Sequence, residues 1–110
     1  MTRVCYDEGV GRMEISGHAG AGEYGHDLVC AAASILMLTL EEALERRREL
    51  FRPGVERRPG EAVISCMASA GNEGRCRDIM ETVFTGYELL ADSYPDSVCT
   101  KRIRARGKGK

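Results

Sequence analysis

Hydrophobic and polar positions follow two different rhythms along the chain. Thr2 to Tyr6 is short and β-leaning, and Arg12 to Ser16 sets Met13 and Ile15 between polar neighbours. The intervening Asp-Glu-Gly-Val-Gly has turn composition, so the two stretches predict a hairpin. Glycines at 17, 20, 22 and 25 follow, a density that favours irregular backbone, and a loop is expected over Gly17 to Gly25. From Asp27 the period lengthens. Leu28, Ala31, Ala32, Ile35, Leu36, Thr39, Ala43 and Leu44 recur at three-to-four-residue steps, which predicts a long helix from Asp27 to about Leu50. Asp27 is placed to cap its start, Glu42 and Arg46 to pair along its charged half, and Pro53-Gly54 to end it.

Pro53-Gly54 and Pro59-Gly60 bracket Val55 to Arg58, and Ala62 to Ala68 reads as a strand, giving a second hairpin. Asn72 can cap a second helix in which Cys76, Ile79, Met80, Val83, Phe84, Tyr87, Leu90, Ala91 and Tyr94 form one stripe, stopped by Pro95. Ser97 to Ile103 reads as a last strand. The order is β-β-α-β-β-α-β, with a loop before the first helix. Hairpins rather than strand-helix-strand alternation predict an α+β fold, a mainly antiparallel sheet with two helices packed on it. The pattern leaves the order of strands in the sheet open.

With 110 residues, 43% of them hydrophobic, the chain suits one globular domain, expected over residues 1–104. No stretch approaches the roughly 20 apolar residues of a membrane span, and the N-terminal MTRVCYDEGV lacks the apolar run of a signal peptide. A soluble, cytoplasmic protein without a membrane partner is expected. The net charge of −1 hides an asymmetry. Residues 101–110 hold six of the sixteen basic residues and no acid, so in residues 1–100 ten basic residues face seventeen acidic ones. Residues 105–110 are expected to be a disordered basic tail.

Five cysteines, at 5, 30, 66, 76 and 99, are an odd number with no C-x-x-C pair. A disulfide scaffold or zinc ribbon is therefore not expected, and free thiols in a reducing compartment are the default. Cys5, Cys66 and Cys99 fall in predicted strands and Cys76 on the apolar stripe of the second helix, positions that predict packed, inert thiols.

Cys30 differs. It lies three residues after Asp27, in the first turn of the predicted helix, where unpaired amides and the helix dipole favour a nucleophilic thiolate. Such a thiol needs a base that takes its proton and returns it to a leaving amine. Both histidines of the chain, His18 and His26, are close in sequence. A glycine-rich loop of twelve residues lets His18 close back on Cys30, whereas His26, just outside the helix start, tends to point away. A structural Cys30 remains the alternative. The set His18, His26, Asp27 and Cys30 has no recognised metal-ligand spacing, so no metal is expected, and the glycines match neither phosphate-loop pattern. No cofactor is expected.

Gly17-His18-Ala19, then Gly22-Glu23-Tyr24-Gly25-His26-Asp27-Leu28-Val29-Cys30-Ala31, and Ser34, with twelve residues from His18 to Cys30, resemble the motif of the ribosomal-processing cysteine proteases called Prp. Length and element order fit over about residues 1–104. The resemblance implies an endopeptidase that removes a short N-terminal extension from the precursor of the twenty-seventh large-subunit ribosomal protein during ribosome assembly. It implies Cys30 as nucleophile, His18 as base and acid, and Asp27 as a supporting acid, which either orients His18 or only caps the helix. It also implies a homodimer, and a substrate loop containing Gly17, Gly20, Gly22, Glu23, Tyr24 and Gly25. The Arg-rich run from Arg46 to Arg58 and the basic tail are not part of that pattern. The tail either makes a weak, salt-sensitive contact with ribosomal RNA or is merely solvated. A non-catalytic assembly factor, binding peptide or RNA, is the competing function, and a redox thiol protein would need a resolving cysteine near Cys30.

Overall fold

The computed structural model describes residues 1–17 and 24–104, with residues 24–27 described by backbone alone. Strands β1 (Thr2–Asp7) and β2 (Arg12–Ser16) form the predicted hairpin, in which the Asp7 carboxylate accepts the Gly9 amide at 3.0 Å. Helix α1 (Tyr24–Glu45) stops short of the expected end near Leu50, and a separate turn of helix, α2 (Arg48–Phe51), follows in place of one continuous helix. Strands β3 (Pro53–Arg58) and β4 (Glu61–Cys66) make the second hairpin, and α3 (Glu73–Ser93) and β5 (Val98–Ile103) complete the order.

The sheet has five strands in the order β3-β4-β2-β1-β5. Three pairings are antiparallel, and the fourth, β1 with β5, is parallel. The expected α+β architecture therefore holds, as a mixed sheet with both long helices on one face. Side chains alternate across a strand. The inward set Val4, Tyr6, Met13, Ile15, Ala62, Ile64 and Val98 is buried, whereas Arg3, Arg12, Glu14 and Lys101 sit on the uncovered face or its flanks.

The second helix carries the predicted stripe. Cys76, Met80, Val83, Phe84 and Tyr87 are buried, and the Tyr6 and Phe84 rings meet with centroids 5.4 Å apart. Tyr94 lies beyond the helix end and is exposed. Asn72 occupies the position before α3, but its side chain engages Ser69 and Arg75 instead of capping. Arg102 of β5 reaches back over the Tyr6 and Phe84 rings, at 5.5 and 5.2 Å, to bind both oxygens of Glu81 and, at 2.9 Å, Glu8. These bonds, those to Glu81 first, raise its pKa above the ordinary arginine value.

The first helix differs from expectation in phase and in length. Its buried side is Val29, Ala33, Leu40 and Leu44, while Leu28, Ile35 and Leu38 are 72%, 59% and 46% exposed. The apolar stripe is wider than the face the sheet and α3 can cover, so its outer half is left uncovered. The predicted Glu42–Arg46 pair forms at 3.1 Å, with both partners exposed. The helix already includes Tyr24, which puts Asp27 inside it and removes it from the capping position.

Two cysteine expectations also change. Cys66, the last residue of β4, and Cys76, in the first turn of α3, are joined as a disulfide, their Cα atoms 6.9 Å apart. They meet because the connection from β4 to α3 is short and turns the chain straight back onto the sheet. Cys99 faces the open side of the sheet and is exposed, since no described helix covers that face of the edge strand β5.

Candidate active site

One end of the sheet collects the start of β1, the end of β2, the turn between β3 and β4, and the first turns of α1 above them. A cavity of about 220 Å³ lies in this corner, lined by Thr2, Ile15, Gly17, Cys30, Ala33, Ser34, Met37, Arg57, Arg58, Gly60, Glu61 and Ala62. Cys30 is half-buried there, packed beside the buried pair Val29 and Val98. Ser34 follows one helical turn later on the same wall.

Because α1 already includes Tyr24, Cys30 lies beyond its first turn. The unpaired amides of a helix are those of its first turn. The expectation that Cys30 sits among them is therefore overturned.

The glycine-rich segment leaves the sheet from a fixed point. The Gly17 amide donates to the Gly60 carbonyl at 2.8 Å. Gly17 has φ +87°, and a Cβ there would lie 2.2 Å from the Met1 carbonyl oxygen. Left-handed backbone and close approach both call for glycine at this position. Of the other expected site residues, His18, Gly20, Gly22 and Glu23 lie outside the described residues. Tyr24, Gly25, His26 and Asp27 are described only as the first turn of α1, so the pairing of His18 with Cys30 and the side-chain role of Asp27 are outside the described residues too. Among the described residues no cluster of three or more His, Cys, Asp or Glu suits a metal ion.

The sequence did not point to the β3–β4 turn as a wall of this cavity. Arg57 spans from β3 to α1, where both oxygens of Glu41 accept its guanidinium and the Met37 sulfur lies 3.6 Å away. Arg58 and Glu61 are more loosely paired at 3.8 Å at the tip. Sequence offered one sign, the Pro59-Gly60 turn, but the pairing of β4 with β2 that brings this turn beside Cys30 is non-local. Thr2 was missed as well, although it continues the inward alternation of Val4 and Tyr6 as its one polar member.

The site thus consists of a half-buried thiol beside a side-chain-sized cavity at one end of the sheet. Residues 1–99 match the family model described as Cysteine protease Prp, and the chain belongs to that family. Among solved structures it is similar to SMU.848 from Streptococcus mutans, at 28% identity over 94% of this chain and 92% of that one, with a TM-score of 0.70. It is also similar to the essential ribosomal processing protease Prp from S. aureus in complex with a covalently linked product peptide, at 25% identity over 93% and 99% of the two chains and a TM-score of 0.77. The same S. aureus enzyme with a substrate peptide, at 24% identity over 93% and 99% of the two chains, shares the fold with a TM-score of 0.76. No curated protein matches the chain. Among the described residues no helix is long and apolar enough to cross a membrane.

Proposed function

We propose that the chain is a ribosomal processing protease that removes the N-terminal extension from the precursor of the twenty-seventh large-subunit protein, in the cytoplasm where ribosomes assemble. The observation that carries this reading is Cys30, half-buried in a cavity the size of a side chain, in a chain of the Prp family similar to a solved protease that holds a covalently linked product peptide. Cys30 is the nucleophile. Its sulfur attacks the scissile carbonyl carbon, and the carbonyl oxygen becomes an oxyanion. His18 holds the thiol proton and passes it to the leaving amine, and the C–N bond breaks. His18 then takes a proton from water, the resulting hydroxide attacks the thioester, and Cys30 is released. Donors to the oxyanion come from the first turn of α1 or the glycine-rich segment before it, each worth about 3–4 kcal/mol in the transition state. Asp27 supports His18 from that first turn.

The experiment is incubation with a peptide spanning the precursor's extension, followed by mass spectrometry. Cleavage by the unmodified protein, abolished in Cys30→Ser and in His18→Ala, is expected. No fragment, or equal cleavage by Cys30→Ser, overturns the reading and favours a non-catalytic assembly factor.

The enzyme works as a homodimer, a reading supported by the exposed Leu28, Ile35 and Leu38 along one side of α1. Residues 1–104 form the catalytic domain, and the basic residues 105–110, outside the described residues, add a weak contact with ribosomal RNA. Sedimentation of the unmodified protein beside Ile35→Asp tests the dimer: loss of the heavier species is expected, and a monomer from the outset refutes it.

A further inference from the structure

The place expected of Cys30, the first turn of a helix, is held in the structure by a different cysteine. Cys76 lies in the first turn of α3, and no side chain caps that turn, because Asn72 engages Ser69 and Arg75 instead. Side chains lean toward the start of their helix, where uncapped amides and the helix dipole favour a thiolate. Its partner Cys66 ends β4, and the Cys66 sulfur lies 3.3 Å from the Phe51 carbonyl oxygen. Once the bond is open, that carbonyl accepts the Cys66 thiol, which keeps this sulfur protonated. The two sulfurs therefore differ in chemistry: Cys76 is the one that attacks and leaves as a thiolate, and Cys66 the one that holds a proton.

Both cysteines are buried, and both line a cavity of about 160 Å³. It lies at the far end of β4 from Cys30, whose own cavity is lined by the first residues of that strand, Glu61 and Ala62. A space of this size admits a small molecule but not the cysteine-bearing loop of another protein. Its lining sets two acidic residues, Glu8 and Glu73, against one basic, Arg77, which disfavours an anion. A small uncharged reactant meets both conditions. Disulfides in cytoplasmic proteins are mostly transient, so in the compartment proposed above a bond that opens and closes is expected. We propose that Cys66 and Cys76 are a reversible redox site, closed by hydrogen peroxide and opened by a small uncharged dithiol. In closing, the Cys76 thiolate attacks a peroxide oxygen, the O–O bond breaks, and the hydroxide takes up a proton to leave as water. The Cys66 sulfur then attacks the sulfenic acid at Cys76, the S–O bond breaks, and a second water carries off the Cys66 proton. Two thiols lose two electrons in all, and one peroxide gains them. In opening, one dithiol sulfur attacks Cys66 and releases the Cys76 thiolate. The second dithiol sulfur displaces Cys66, the dithiol becomes a disulfide, and its protons pass to the released sulfurs. This inference rests on the cytoplasmic placement and not on the protease activity.

The test maps every cysteine of the folded protein. Protein reduced with dithiothreitol and then freed of it is given a small excess of hydrogen peroxide, alkylated and digested, and its peptides are read by mass spectrometry. The Cys66–Cys76 link is expected to form while Cys5 and Cys99 are alkylated, and fresh dithiothreitol is expected to open it without denaturant. In Cys66→Ser, dimedone is expected to trap a sulfenic acid at Cys76; in Cys76→Ser, Cys66 stays a thiol. The two cysteines are 10 residues apart in sequence, and opening a loop of that length should lower the thermal midpoint by about 10 °C, a shift absent from Cys66→Ser. A link that dithiothreitol opens only in denaturant, no link at all, or a sulfenic acid at Cys66 in place of Cys76 overturns the proposal. None of these readouts involves peptide cleavage, so the protease reading stands or falls separately.

Discussion

The phenolic hydroxyl of Tyr87 in α3 donates a 2.8 Å hydrogen bond to the carbonyl of Ala33 in α1, three residues beyond Cys30. Both residues are buried, so the bond ties the helix that bears the nucleophile to the helix that covers the sheet. Tyr87→Phe keeps the ring and removes the bond. It is expected to destabilise the protein by about 1 kcal/mol, read from urea denaturation. A variant as stable as the parent would show that the hydroxyl does not hold α1 in place.

Two buried phenols give the fold an alkaline limit. Burial first, and the Glu81 carboxylate second, push Tyr6 up to about 12, and burial with Glu41 raises Tyr87 further. The folded state thus favours the protonated phenol. Below about pH 10 the phenols are protonated in both states and this stabilisation is fully present. Above it the unfolded chain loses protons first, so stability falls as pH rises, by about 1.4 kcal/mol per pH unit for each phenol. Denaturation midpoints from pH 9 to 12 should fall steeply in the parent protein and less so in Tyr6→Phe. Parallel curves for the two would exclude Tyr6 as the source.

Arg102 binds Glu81 and Glu8 where all three side chains are largely shielded, at 19%, 34% and 16% exposure. Arg102→Met preserves much of the packing over Tyr6 and Phe84 but takes the cation from these carboxylates. A loss of about 2–3 kcal/mol is expected, below the roughly 3–5 kcal/mol of fully buried pairs because solvent still screens the site. Adding Glu81→Gln should recover part of it, which a double-mutant cycle measures.

Gly17 and Gly60 face each other across one hydrogen bond, yet their substitutions should differ. At Gly60, φ is +75° with open space around a Cβ, so Gly60→Ala adds only backbone strain, about 1 kcal/mol. At Gly17 a Cβ also meets the Met1 carbonyl at 2.2 Å, and the backbone must move directly before His18. Gly17→Ala should lower kcat/KM by about 10–100-fold, the scale of a misplaced reacting group, and should do so more than Gly60→Ala. Equal effects in a peptide cleavage assay would sink the distinction.

Periodicity made most elements legible because each long helix, and every strand but the exposed edge strand β3, buries one face: the alternation of Met13 and Ile15, and the Cys76-to-Tyr87 stripe, are direct imprints of burial. Boundaries near glycine were less legible. Gly25 discourages helix locally, yet α1 includes it, since propensity is a weak prior beside tertiary context. Leu28 and Ile35 repeat with helical period but lie outward, because a period marks a face without saying what covers it. Cys30 was singled out by an expected place in the first turn of α1, which the structure does not bear out, and then by the motif around it. Thr2, the β3–β4 turn and the Cys66–Cys76 bond were not legible, because each arises from contacts between segments that only the folded sheet brings together.

The parallel pairing of β1 with β5 sets Thr2 beside Val98, joining the second residue of the chain to its last strand. Contacts of such long sequence separation form late and slow the folding of a domain. During synthesis β1 has its hairpin partner β2 early, but its other edge, where Thr2 meets Val98, has no neighbouring strand until residues 98–103 have left the ribosome. The finished pocket beside Cys30 thus waits on β5, and the enzyme acquires it only once that strand has been made and paired with β1.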